Sequence, residues 1–160
     1  MRRTIGFAAG IIAAATIAFV GTSCGSDSTA PGPKTYVANL IAANEPNGVS
    51  TATGTGVATF VDNGSQIDYT LSVTGLTAVT ASHIHVAAAG VNGGIIFNLF
   101  IPNNPTGAVN GVIATGIITN ANNQNVSLDS LRVLFNNGNS YVHNSQFGGG
   151  AIRDQVRPIN

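Results

Sequence analysis

Gln66-Ile67-Asp68-Tyr69-Thr70-Leu71-Ser72-Val73-Thr74 decides the fold. Ile67, Tyr69, Leu71 and Val73 alternate with Asp68, Thr70, Ser72 and Thr74. Successive side chains of a strand point to opposite faces, so a period of two gives a strand with one apolar face and one polar face. The same texture, rich in Val, Ile, Thr, Tyr and Phe, recurs at residues 36–42, 56–61, 82–87, 94–101, 111–118, 140–144 and 151–156. Between these runs stand turn-forming residues: Asn47-Gly48, Asn63-Gly64, Asn92-Gly93-Gly94, Asn103-Asn104-Pro105 and Gly148-Gly149-Gly150. One segment breaks the alternation. Leu128, Leu131, Leu134 and Phe135 repeat at three and four, Ser127 stands where a cap belongs, and Asn137-Gly138 follows. This spacing predicts a short helix over residues 127–136.

The pattern predicts an all-β domain, an antiparallel Greek-key sandwich or barrel of about eight strands with one short helix. Alternation assigns Phe60, Leu71, Val73, Leu76, Ile84, Val86, Phe97, Leu99, Leu131, Leu134, Val142 and Ile152 to the core.

Composition narrows function more by exclusion than by suggestion. Six Lys and Arg balance six Asp and Glu in 160 residues. No basic field is available to grip a nucleic-acid backbone, so no nucleic-acid partner is expected. The single Cys forbids an internal disulfide and any cysteine cluster for zinc or iron–sulfur, which leaves His and carboxylate as the metal ligands. There is no Gly-x-Ser-x-Gly elbow, and with Glu45 the only glutamate no glycosidase pair stands out. Asp62 and Asp68 flank the Asn63-Gly64 turn, where carboxylates are ordinarily solvated. An enzyme is the less favoured expectation.

Residues 1–23 read as an export signal: Arg2 and Arg3 precede an uncharged apolar stretch from Ile5 to Val20, then Gly21-Thr22-Ser23. A permanent transmembrane helix, which needs about 20 apolar residues, is the weaker reading. Cys24 falls where small residues follow the apolar stretch, as in a bacterial lipobox, so it is the expected site of lipidation. Residues 24–34 are small and polar with Pro31 and Pro33, a flexible tether ahead of a domain at residues 35–157. The expected location is the outer membrane or cell surface, anchored by lipid at Cys24, or alternatively the periplasm or medium as a simply secreted protein. Without Arg2 and Arg3 the chain keeps four cations against six acids, a net charge of −2.

The three histidines lie in strand-like runs, at His83-Ile84-His85 and Tyr141-Val142-His143. With Ile84, Val86 and Val142 turned to the core, His83, His85 and His143 turn outward, and so does Arg153 opposite Ile152. Outward imidazoles making surface hydrogen bonds are one reading. The other is a metal site, since two imidazoles at i and i+2 with a third from a nearby strand form a set suited to copper or zinc.

Taken in order, several segments resemble the CHRD domain, a module first named in chordin and also found in exported bacterial proteins. They are Tyr36-Val37-Ala38-Asn39-Leu40 with Glu45-Pro46, Gly54-Thr55-Gly56, Leu71-Ser72-Val73-Thr74-Gly75-Leu76, and His83-Ile84-His85 leading to Gly90-Val91-Asn92-Gly93. The last two are Tyr141-Val142-His143 and Gly150-Ala151-Ile152-Arg153-Asp154-Gln155-Val156, with Ala151 where the family has Glu and Asp154 where it has Gly. The resemblance implies an extracellular β-sandwich acting as a non-enzymatic binding or structural module. A fainter one is to copper–zinc superoxide dismutase. It implies copper at His83, His85 and His143, with Arg153 guiding a small anion, and some residual redox activity. The bridging His, the zinc ligands and the disulfide of that enzyme have no counterpart here.

Overall fold

The computed structural model describes residues 32–46, 50–122, 125–146 and 149–159. The export signal, Cys24, most of the tether and the Asn47-Gly48 turn lie outside the described residues. Among the described residues nine strands and one α-helix follow in order: β1 (Lys34–Leu40), β2 (Thr55–Asp62), β3 (Ile67–Leu76), β4 (Ala81–Val86), β5 (Gly94–Phe100), β6 (Val109–Ile118), α1 (Leu128–Asn137), β7 (Ser140–Gln146), β8 (Gly149–Gln155) and β9 (Arg157–Pro158). They form two antiparallel sheets, ordered β6-β3-β2-β1-β9 and β5-β4-β7-β8. The predicted sandwich is present, and the alternative of a closed barrel is not. At one edge an isolated bridge between Ile41 and Arg153 ties the sheets together, with backbone hydrogen bonds of 3.2 Å in both directions.

The alternating residues of β3 do what their period requires: Ile67, Leu71, Val73 and Leu76 are buried in the core with Phe60, Ile84, Val142 and Ile152. Helix α1 covers one end of that core with Leu128, Leu131 and Phe135. Its start is capped by Ser127, whose hydroxyl accepts from Ser130 N at 3.2 Å, and Gly138 ends it with φ 62°, a left-handed conformation that costs glycine no side-chain clash. Phe135 meets Tyr36 and Phe60 with ring centroids 5.1 and 5.0 Å away. Leu134 is only partly buried against this cluster.

Two expectations need correction. Val86 is 38% exposed and not in the core. It pairs with Gly94 and Ser140 at the ends of three strands, beyond a register shift between Ile84 and His85, so it overhangs the rim. Asp62 is not solvated: it takes Arg132 Nε at 2.7 Å and Nη2 at 2.9 Å, which fastens α1 to the end of β2. The guanidinium holds the Asp62 carboxyl below the usual carboxylate range.

Candidate functional site

The site lies on the face of the β5-β4-β7-β8 sheet that turns away from the core. Directly opposed residues of antiparallel strands share a face, and the register places two rows side by side: His83, His143 and Arg153 in one, His85, Tyr141 and Gln155 in the other. Sequence alternation therefore chose the face correctly for all three histidines and Arg153. It misjudged their exposure. His85 is 9% exposed and Arg153 only 2%, because two loops lie over this face.

The loop after β4 is held by the polar side chains beneath it. Gln155 Nε2 donates to Ala87 O at 3.0 Å, Arg153 Nη1 to Asn92 Oδ1 at 3.1 Å, and Arg153 Nη2 to Val91 O at 3.0 Å. Gly93 comes so close to the end of β4 that a Cβ there would overlap Val86 O. The second loop is the short 3-10 turn at Ala42–Asn44 with Glu45 and Pro46. Asn44 Nδ2 donates to Arg153 O at 3.1 Å and Asp154 Oδ1 at 3.2 Å, so the Ile41 bridge and this side chain lay Glu45 over β7 and β8. Gly150 offers no Cβ, and that leaves room for the Glu45 carboxylate.

Between the loops is a pocket of about 250 Å³ lined by Glu45, Pro46, His85, Asn92, Gly93, Tyr141, His143 and Gly150. Its floor is a stack. The Arg153 guanidinium carbon lies 3.5 Å from the centre of the Tyr141 ring, and Tyr141 lies on His85 with centroids 4.7 Å apart and planes 9° from parallel. Tyr141 Oη accepts from Gly93 N at 3.2 Å. His85 Nδ1 faces Gly93 O at 2.9 Å, which fixes the proton on Nδ1 and leaves Nε2 as a lone pair. His85 Nε2, His143 Nε2 and Glu45 Oε1 are buried and have no hydrogen-bond partner. His83 is half-buried, stands 5.6 Å from His85 by ring centroids, and does not line the pocket. His143 lies 5.4 Å from His85. Among the described residues no group of three or more His, Cys, Asp or Glu side chains is placed to hold a metal ion.

Burial dominates the protonation of these groups. It pushes His143 down to about 4, aided by the charges of His85, Arg153 and His83. His83 and His85 move the same way for the same first reason, while burial raises Glu45 against the pull of Arg153. A histidine buried neutral stabilises the fold above its unfolded value, and that contribution is lost as pH falls from about 6.5 toward the folded value. Glu45, shifted upward, offsets part of the loss. In urea titrations of metal-free protein, moving from pH 7.5 to pH 5 should cost about 2 kcal/mol through His143 alone. His143→Gln should flatten that slope, and equal slopes for the two proteins would contradict the assignment.

Residues 36–156, from within β1 to just before β9, match the sequence pattern of the CHRD domain. The chain belongs to the CHRD domain family. No curated protein and no solved structure matches it. The CHRD match takes in every residue of the pocket, so the site is part of the domain and not of an appendage. Sequence reading of this CHRD domain missed Glu45 and Tyr141 as pocket residues. A signal for Glu45 was present: it is the chain's only glutamate, set beside Pro46 just after the first strand.

Proposed function

We propose that this CHRD-domain protein is a non-enzymatic binding module of the cell envelope, and that it binds at the pocket beneath residues 45–46 and 92–93. It is exported on residues 1–23 and held to the membrane by lipid on Cys24, with residues 24–34 as a tether. The observation that carries the binding reading is the set of three buried polar atoms, on side chains that line one concave pocket, that make no hydrogen bond. Buried polar groups are ordinarily satisfied, so such a set is a place for a ligand to satisfy them. NMR titration of the full chain in detergent with a library of small amines, amides and carboxylates tests it. Shifts should gather at His85, Asn92, Gly93, Tyr141 and His143. Shifts confined to other surfaces would end this reading. The anchoring has its own check: Cys24→Ser should move the protein out of the membrane fraction, and a wild type already soluble with an unmodified amino terminus would remove the lipid.

A second reading is favoured by the succession of imidazole contacts, His83 to His85 to His143. In it His83, His85 and His143 hold one copper ion, with Arg153 supplying positive charge for a small anion and with residual redox activity. Neutral imidazoles are the form that ligates. Cu²⁺ titration of the full chain checks this reading, which predicts one ion per chain in the wild type and severe weakening in His85→Ala.

A further inference from the structure

We propose that the pocket binds a divalent transition-metal ion of the Zn²⁺ or Cu²⁺ kind through His85 Nε2, His143 Nε2 and Glu45 Oε1, with the fourth position open to the pocket. This rests on the reading that the pocket is the domain's binding site, and it replaces His83 by a carboxylate from the opposite loop.

Four observations carry it. The first is the donor set: two imidazole Nε2 atoms and one carboxylate oxygen, all buried and none hydrogen-bonded, belong to side chains that line the same pocket. His85 Nε2, with the ring proton on the Nδ1 that faces Gly93 O, and an ionised Glu45 Oε1 accept and do not donate, so what satisfies them is electron-poor. Two imidazoles and a carboxylate are a common ligand set for divalent first-row ions. The second is spacing. His143 Nε2 and Glu45 Oε1 are 3.4 Å apart, longer than an N–H···O hydrogen bond. Two donors each about 2.1 Å from one tetrahedral ion lie about 3.4 Å apart. Two imidazoles on such an ion have ring centres about 5.2 Å apart, and those of His85 and His143 are 5.4 Å apart.

The third observation is orientation. Ligating histidines characteristically donate the other ring N–H to a carbonyl or carboxylate, and His85 Nδ1 is fixed on Gly93 O. Tyr141 stacked on its face stops the ring from turning, and Arg153 in turn holds Tyr141. The fourth is room: Gly150 has no side chain to displace the Glu45 carboxylate. The three side chains do not surround one point as they stand, so ion binding has to draw them together. His83 supplies no buried unpartnered nitrogen and stands outside the pocket.

Isothermal titration of the chelator-treated full chain in detergent with ZnCl₂ and CuCl₂ decides the matter. One ion per chain is expected. His85→Ala and Glu45→Gln should each weaken binding by about 100-fold or more, while His83→Ala changes it by less than about threefold. Cobalt substitution gives a readout independent of affinity: Co²⁺ in the wild type should show the intense visible bands of a tetrahedral site, altered in Glu45→Gln. If His83→Ala abolishes binding and Glu45→Gln does not, the ion sits on the three histidines and this proposal fails. If no ion binds to the wild type, both metal readings fail, while pocket shifts in the NMR titration would still uphold the binding module. Stoichiometric binding that persists in His85→Ala also overturns the proposal.

Discussion

Arg153→Ala is expected to lower the unfolding free energy by about 3–5 kcal/mol, a large share of the roughly 5–15 kcal/mol that holds a domain together. The side chain is 2% exposed and its loss has three costs. Asn92 Oδ1 and Val91 O lose their charged donor, each such bond being worth about 1.5–3 kcal/mol. Tyr141 loses the cation on its face, about 1–2 kcal/mol when desolvated. Glu45, buried nearby, loses the positive charge that favours its ionised form. Arg153→Lys keeps the charge but neither the planar stack nor the forked donation, and it should fall between Ala and the wild type. Urea unfolding gives the energies, and hydrogen exchange should show amides of residues 88–93 exchanging faster in the Ala variant. A loss under 1 kcal/mol with unchanged exchange would mean that the loop is held by something else.

Phe135→Ala should cost about 3–5 kcal/mol and lower Tm by about 10 °C or more, because it removes a whole aromatic ring from a cluster that cannot collapse around the gap. Tyr36 and Phe60 contact that ring from two different strands, so this side chain joins the helix to the sheet at two points. Thermal melts followed by circular dichroism measure it. Leu134→Ala, one residue earlier but only partly buried, should cost less than half as much. Equal effects would place the helix in a different rotation from the one described.

The sandwich was legible because its cause is local. A period of two in Ile67, Tyr69, Leu71 and Val73 needs no knowledge of neighbours, and Ser127 and Gly138 mark the helix by their own backbone chemistry. The histidine face was legible for the same reason. Exposure was not, because it depends on loops that arrive from elsewhere in the chain. Arg153 and His85 are buried by residues 87–93, and that cover depends on hydrogen bonds to Arg153 and Gln155 more than sixty positions away. Glu45 belongs to a turn without periodicity, and it reaches the site only through the bridge from Ile41 to Arg153. Val86 was misplaced by a register shift, which no single-strand pattern records.

The first strand takes its outer neighbour from the last: Tyr36 pairs with Pro158 and Val37 with Arg157. A chain that emerges from its ribosome amino terminus first therefore has to wait. Its opening strand can lean on β2 early, yet the lattice at its other edge, and with it the docking of Glu45 through Arg153, can form only after nearly the whole domain has been synthesised. Contacts of such long sequence separation form slowly, since chain closure costs entropy before it returns any. The chain thus stays incompletely folded, and its pocket unassembled, until residues 153–158 are free to pair.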